Sequence, residues 1–400
     1  MSFSIALSGI NSVNSQLDVI SNNIANSGSY GFKTSRANFS ATYAGSQASG
    51  TQVSSMTQSM ETDGGILTTG RSLDVSISGT GFFVTKDASG TELYTRVGIF
   101  SLDTDGYLVD SFGNKVQGYQ QALDANGNPV TGAALGAIGN LQVSNGQIPA
   151  KASTSLDYAG NLSADWETKT AAFDKDDAST YNSSVVSVVY DSLGAQHTVS
   201  QYFVKTDTNE VTVYYSFDGD QLGTTATMSF DENGQLTSAD SVTVALGTPT
   251  GAAAMSIAID YSGITQYAGS ATTTTNSADG YASGAYTRVA VNEDGGIYAQ
   301  YSNGETQKVG TIALATFVNQ GGLVQVSDTA WTASNASGTP LYATPGTSMA
   351  GTLVSGSLEE SNVNMTEQLV DLMSAQRNYQ ANTKVISAES EMMQTLMQAI

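Results

Sequence analysis

Read at alternating spacings of four and three, the chain from Met365 onward yields a single stripe: Met365, Leu369, Leu372, Gln376, Tyr379, Thr383, Ile386, Ser390, Met393, Met397 and Ile400. Eight of the eleven are apolar, and the series reaches the final residue without a slip. A 3.5-residue repeat sustained over about five heptads is a coiled-coil signal. Asn364 stands where an N-cap belongs, Glu367 follows three residues later, and no Gly or Pro interrupts the run. The pattern predicts a rod of roughly 54 Å at 1.5 Å per residue. Such a rod requires a partner.

A partner candidate lies at the opposite end of the chain, where Phe3, Ala6, Ile10, Val13, Leu17, Ile20 and Ile24 follow the same alternation. Two terminal seams separated by the whole protein predict a helical layer built from both chain ends. The alternative is a pair of surface helices on a globular core. Gly9 weakens the N-terminal helix by about 1 kcal/mol relative to Ala. Its few apolar side chains do not offset the backbone entropy of ordering it alone. Both termini are therefore expected to be disordered in the monomer and to order on assembly. The C-terminal stripe is also wider than one partner needs, because Val370, Met373, Val385, Met392 and Leu396 flank it. That surplus predicts contacts with helices of neighbouring subunits, with Gln376, Thr383 and Ser390 as polar positions that control register.

Between the two seams the pattern is of another kind. From Phe32 to about Gly70 the chain is Ser/Thr/Gly/Gln-rich with neither period, and reads as an extended connector with a hairpin around Asp63-Gly64-Gly65. From Ser72 short alternating runs begin: Leu73/Val75/Ile77, Phe82–Val84, Leu93–Arg96, Ile99–Leu102 and Tyr107–Val109. Hairpin dipeptides recur at Asn126-Gly127, Asn145-Gly146, Asp218-Gly219, Asn233-Gly234, Asp294-Gly295 and Asn303-Gly304. The clearest meander is Ser184–Tyr190, Gln196–Lys205 and Glu210–Phe217. Composition dips near 146–155 and in the Thr/Ser/Gly tract 269–284 suggest boundaries. The expected fold class is multidomain and mainly β, with two all-β body domains and helical termini. The expected division is a helix at 1–26, a connector at 27–71, an inner β domain from 72–149 and 283–356, an outer β domain inserted at 150–282, and a connector plus helix at 357–400.

Composition narrows the function. The chain carries 14 basic and 36 acidic residues, a net charge of −22, which disfavours nucleic acid and anionic membrane surfaces. Charged residues make up 12% against a usual value of about 25%, so Ser, Thr, Asn and Gln supply much of the polarity. With no cysteine, disulfides and thiolate metal sites are excluded. The N-terminus has no basic n-region and no small-residue cleavage site, and no run of 18 apolar residues occurs, so membrane insertion is not expected. If the protein is exported, the general secretory route is not the expected one.

The residues that invite a catalytic or ligand-binding reading each fit a plainer one. Gly79-Thr80-Gly81 suggests a dinucleotide loop, but position 84 is Val and no helix follows, so it reads as a strand-joining turn. Asp103-Thr104-Asp105-Gly106 resembles the start of a calcium loop, yet Asn114 stands where the closing Glu belongs. The only histidine, His197, has no evident nucleophile or co-ligand beside it. The acidic pairs Asp176/Asp177 and Glu359/Glu360 read as solvated surface. Neither an enzyme nor a cofactor nor a metal is expected.

Three motifs together carry a resemblance. Leu17-Asp18-Val19-Ile20-Ser21-Asn22-Asn23-Ile24-Ala25-Asn26, followed by Tyr30-Gly31-Phe32-Lys33, resembles the N-terminal signature of bacterial flagellar axial proteins, the rod, hook and hook-associated subunits. Leu73 to Phe83, with Gly79, Gly81, Phe82 and Phe83, is similar to that family's entry into its inner β domain, and Tyr94–Phe100 continues it. Gly356 to Asn364, leading into Leu369–Met373 and Gln376-Arg377-Asn378-Tyr379-Gln380, is similar to the C-terminal signature. Rod members are shorter and the first hook–filament junction member is longer. A chain of this length with an inserted β domain, and with Asn182–Phe217 in its middle, is most similar to the hook-type members.

The resemblance implies a structural subunit exported unfolded, without a cleaved signal peptide, through the flagellum's own type III apparatus. It implies a helical homopolymer grown beneath a hook cap, located outside the cell in the hook and basal body and touching the distal rod subunit and the hook–filament junction protein. The product would be a short curved tube acting as a universal joint, with the terminal helices lining its channel. Weakly charged outer surfaces would supply wet contacts that rearrange at small cost. The rival reading is a secreted β-rich adhesin or glycan-binding module, or another axial subunit such as the distal rod or junction protein.

Overall fold

A computed structural model describes residues 2–45, 47–122, 136–144, 146–347 and 349–398. Ile400, at the end of the C-terminal seam, lies outside the described residues, as do Asn126-Gly127 and Asn145. The chain divides into two compact units: Met1–Asn145 with Arg288–Ala299 and Gln307–Ile400, and Gly146–Thr287 with Gln300–Thr306.

In the first unit a helix α1, Ser2–Ala25, is followed by the strands β1, Ser35–Ala44, and β2, Gln47–Gln58, and the chain ends in a helix α2, Met365–Gln398. Asn364 caps α2 as expected, its Oδ1 accepting from the N–H groups of Thr366 and Glu367. The stretch expected to lack regular structure is in fact largely the β1–β2 hairpin, antiparallel from Ser35↔Gln58 to Ala44↔Gln47 with two register breaks. Its residues offer no apolar/polar contrast because neither face meets an apolar core, and α1 covers part of it through polar contacts. Backbone pairing rather than side-chain burial defines these strands.

The β core of this unit is organised on Phe82–Lys86, which pairs antiparallel with Glu92–Thr95, Lys115–Gln120 and Leu314–Thr316. Phe82, Val84, Tyr94, Phe317 and Trp331 close around it, with Met60 arriving from just beyond the hairpin. Phe82 meets Trp331 edge-on at 5.7 Å between centroids, and Tyr94 meets Phe317 at 4.8 Å. Gly79 and Gly81 hold φ of +98° and +132° in the turn entering Phe82, which supports the turn reading of Gly79-Thr80-Gly81. Two short ladders join sequence extremes: Thr352–Ser355 with Val75–Ser78, and Ser357–Glu359 with Ile66–Thr68.

The second unit contains a four-stranded meander, Ser183–Tyr190, Gln196–Asp207, Glu210–Phe217 and Asp220–Ser229, in chain order. Asp218 (φ +48°) and Gly219 (φ +92°) make the two-residue turn between the last pair. A second sheet is built on Ser155–Ser163. Its first half pairs in parallel with Met255–Asp260 and its second half with Ile264–Tyr267, while Thr272–Ala278 runs antiparallel to it. The tract 269–284, expected as a boundary from composition, therefore contains a strand; its threonines stay exposed, so no alternation marks it. The inward residues of both sheets, including Leu156, Val199, Phe203, Val213, Ile257 and Ile259, share one buried core. Within it, Tyr261 hydroxyl bonds Gln201 Oε1 at 2.6 Å and the Tyr215 hydroxyl at 2.9 Å, so the buried polar groups satisfy one another.

Candidate assembly surface

The terminal helices meet through a contact smaller than the sequence pattern predicts. Val13, Ile20 and Ala375 are buried together, with Leu17, Ile24 and Leu372 packed against them. Ala6 is also buried, Ile10 is half-buried and Phe3 is exposed. On α2 the positions that are buried or half-buried are Gln368, Asp371, Leu372, Ala375, Asn382, Ile386 and Glu389. Leu372 and Ile386 belong to the expected seam, but its alternate members Leu369, Gln376, Thr383 and Ser390 sit one residue away from the inward stripe and are exposed. Met365, Tyr379, Met393 and Met397 are exposed too. Close approach decides the difference. A Cβ on Gly9 would lie 3.0 Å from the Asn382 side chain, so the absence of a side chain on α1 lets Asn382, rather than its apolar neighbours, face α1 there.

Apolar surface is left over in consequence. Leu369, Val370, Met373, Val385, Met392, Met393, Leu396 and Met397 are all exposed, Met397 at 71% and Met393 at 57%. Residues scattered singly would need no explanation, but two exposed apolar groups on one helix, 369–373 and 385–397, do.

The opposite flank of α1 is held by the hairpin. Ser12 Oγ donates to the Thr51 carbonyl at 3.3 Å, and the Thr51 N–H donates to Ser8 Oγ at 3.2 Å. At the hairpin's base, buried Asn23 donates to the Ser35 carbonyl (2.8 Å) and to Gln368 Oε1 (2.9 Å), and accepts from the Ser35 N–H (3.0 Å). One side chain thus ties α1, β1 and α2. Asn26 donates to the carbonyl of Asn22 at 3.0 Å and to its side-chain oxygen at 2.7 Å, finishing α1; Asn22 and Arg377 are exposed. Asn362 does similar work in the C-terminal segment, accepting from the Thr34 N–H and hydroxyl at 2.7 Å each and donating to the carbonyls of Ser59 and Thr62.

The residues after α1 converge on a buried charge cluster. Gly31 adopts φ +64°, and a Cβ there would lie 3.0 Å from the Arg96 backbone. Phe32 is buried, and the Lys33 side chain is fully so. Lys33 Nζ donates to Glu359 Oε1 and to the Thr62 carbonyl, both at 2.8 Å. Arg96 donates to Glu359 Oε2 (3.3 Å) and to the Gly79 carbonyl (2.8 Å). Asp63 Oδ1 lies 3.6 Å from Lys33 Nζ and 3.5 Å from Arg96 Nη2. The expectation that Glu359/Glu360 is solvated surface fails for Glu359, which is 2% exposed; Glu360 is exposed. Sequence reasoning missed Glu359 because its partners lie hundreds of residues away.

In the second unit His197 has partners the sequence did not reveal. Its Nδ1 lies 2.6 Å from Asp218 Oδ2 and its Nε2 3.3 Å from Asp191 Oδ2, with the ring stacked on Phe217. The hydrogen bond to Asp218 raises the imidazole above its ordinary pKa, against partial desolvation and with help from Asp191. Burial would raise both carboxyls, but backbone N–H groups and His197 outweigh it and hold them low. Among the described residues no group of three metal-ligating His, Cys, Asp or Glu side chains is assembled, and no helix is long and apolar enough to cross a membrane.

Three stretches match known families: residues 76–164 the "Flagellar hook protein FlgE/F/G D1 domain", residues 161–281 the "Flagellar basal body protein FlaE D2 domain", and residues 354–399 the "Flagellar basal body rod FlgEFG protein C-terminal". The chain is 38% identical to the flagellar hook protein FlgE of Salmonella typhimurium over 405 residues, covering 99% of each protein. The chain belongs to the flagellar hook protein FlgE family. The FlgE of Escherichia coli is likewise 38% identical over 404 residues, and that of Treponema pallidum 30% over 456. The crystal structure of Helicobacter pylori flagellar hook protein FlgE2 superposes with a TM-score of 0.54, covering 72% of this chain and 98% of that one. At 13% identity it speaks to fold alone. As a FlgE-family protein, the chain is a structural subunit of the bacterial flagellar hook and serves motility.

Proposed function

We propose that α1 and α2 are the polymerisation elements of this hook subunit, and that the apolar stripe left open on α2 is covered by terminal helices of neighbouring copies. The exposed run Leu369, Val370, Met373, Val385, Met392, Met393, Leu396 and Met397 carries this reading. An amphipathic helix already paired with α1 yet still apolar outside has more contact surface than its own chain uses. On this reading residues 72–149 and 283–356 act as the inner domain and 150–282 as the outer domain of a tube that transmits torque as a universal joint. Its partners are itself, the distal rod subunit, the hook–filament junction protein, the hook cap and the type III export apparatus, which passes it outside the cell without a cleaved signal peptide. The protein works by assembly and catalyses nothing. Polar, weakly charged outer surfaces supply contacts that slide as the tube bends.

Deletion of residues 365–400, or of residues 1–25, tests the reading. Polymerisation followed by electron microscopy should be abolished while the second unit keeps its fold, read from amide protection of Val199–Phe203. Tubes formed by either deletion would overturn it. A binding module would retain its ligand after the same deletions.

A further inference from the structure

We propose that the buried cluster of Lys33, Glu359, Arg96 and Asp63 is a two-armed latch: the chain segments leading from α1 and into α2 dock on the β core together or not at all. Lys33 lies in the segment that follows α1, and Glu359 in the segment that precedes α2. Arg96 belongs to neither arm, immediately after the strand Glu92–Thr95. Glu359 divides its two oxygens between them, Oε1 to Lys33 and Oε2 to Arg96, and Oε1 also accepts from the Gly64 N–H at 3.1 Å. Lys33, Arg96 and Glu359 have side chains at most 2% exposed in the docked state, so each charge there is met by its partners rather than by water.

Undocking the C-terminal arm would strand two cations against the single, partly exposed carboxylate of Asp63. Undocking the N-terminal arm would leave Glu359 short of its 2.8 Å partner. A buried charge that loses its partner is strongly disfavoured, so each arm raises the stability of the other. Such coupling is reciprocal by thermodynamic necessity. Backbone bonds between the arms, Gly31 N–H to the Glu359 carbonyl (2.8 Å) and Asn362 N–H to the Phe32 carbonyl (3.3 Å), depend on the same docking. The latch delivers α1 and α2 as a pair. It acts within one chain and does not depend on whether that chain polymerises.

Hydrogen–deuterium exchange on the full-length chain at monomeric concentration tests it, with Lys33→Met, Glu359→Gln and their double variant. Lys33→Met should speed exchange about tenfold or more at 357–362 as well as at 31–35, and Glu359→Gln should do the mirror image. The double variant should fall well short of the product of the single effects. Protection at Val199–Phe203 should not change, which separates the latch from global unfolding. Asp63→Asn supplies a milder perturbation should the other variants fail to fold, with a smaller rise expected in both arms. Increases confined to the substituted arm, or single effects that multiply in the double variant, would overturn the proposal.

Discussion

The helix α2 and the strand Gln196–Asp207 both carry apolar residues at the spacing of their element, and they end in opposite states. In the strand, Val199 and Phe203 are buried in the core that the meander shares with a second sheet of the same chain. In α2, 34 residues long, the buried side chains are Gln368 and Ala375, one polar and one small. Periodicity states that a face needs covering; it does not state which molecule covers it. The strand's partner belongs to the same chain, whereas most apolar side chains of α2 stay exposed in the single chain. Core damage in the second unit should therefore cost folding, and damage to the outer face of α2 should cost assembly.

Substitutions can break that contrast. Phe203→Ala removes a fully buried ring stacked on Tyr158 at 5.4 Å, and should lower the stability of the second unit by about 3–5 kcal/mol in urea unfolding. A loss below about 1 kcal/mol would mean the core is less closed than its burial indicates. Asn23→Ala deletes three hydrogen bonds and leaves Gln368 Oε1 without its donor, and should cost the α1–α2 contact about 1–3 kcal/mol, read as faster exchange in both helices. Exchange that rises in α1 alone would show that the side chain serves one helix only.

The His197 clamp is expected to act on a smaller scale. Its raised imidazole pKa contributes stability that is complete below the ordinary His value and is lost as pH rises through the folded value. The lowered Asp191 and Asp218 contribute stability that is present above the ordinary carboxylate value and is lost as pH falls through their folded values. The clamp is therefore complete between about pH 4 and 6.5 and weakens above that window. Asp218 is partly open to solvent, so the effect should be a few tenths of a kcal/mol. Unfolding midpoints at pH 5.5 and 8.5 should converge in His197→Gln, and an unchanged difference would assign the pH dependence elsewhere. The smallest effect on the monomer belongs to Met393→Ser, within about 0.5 kcal/mol because the side chain is already exposed. The same change should raise the concentration needed for polymerisation, and an unaltered threshold would remove Met393 from the assembly surface.

Much of this was legible from residues alone, for reasons that differ by region. The meander from Ser183 could be read from its β-branched and aromatic runs and from Asp218-Gly219, which marks its last turn by backbone chemistry, although Val186 and Val188 stand exposed while Ser187 and Val189 are buried. The β1–β2 hairpin could not, since its strands bury little and so carry no alternation. The seam on α2 was half legible: Leu372 and Ile386 lie on the stripe that meets α1, but Ala375 replaces Gln376 beside it because small residues let helices approach.

The sequence by itself determined that both ends are helical, that the body between them is β, and to which family the chain belongs. These are local or motif-level properties, written in spacing and turn residues. Tertiary structure alone decided which edge of α2 faces α1 and that Glu359 is buried rather than solvated. Lys33 and Glu359 are 326 residues apart, and a carboxylate's fate depends on whether cations reach it, which neighbours in sequence do not specify. The C-terminal stripe is thus a helix signal that the chain reads locally, while which of its side chains are covered within the chain is chosen by packing.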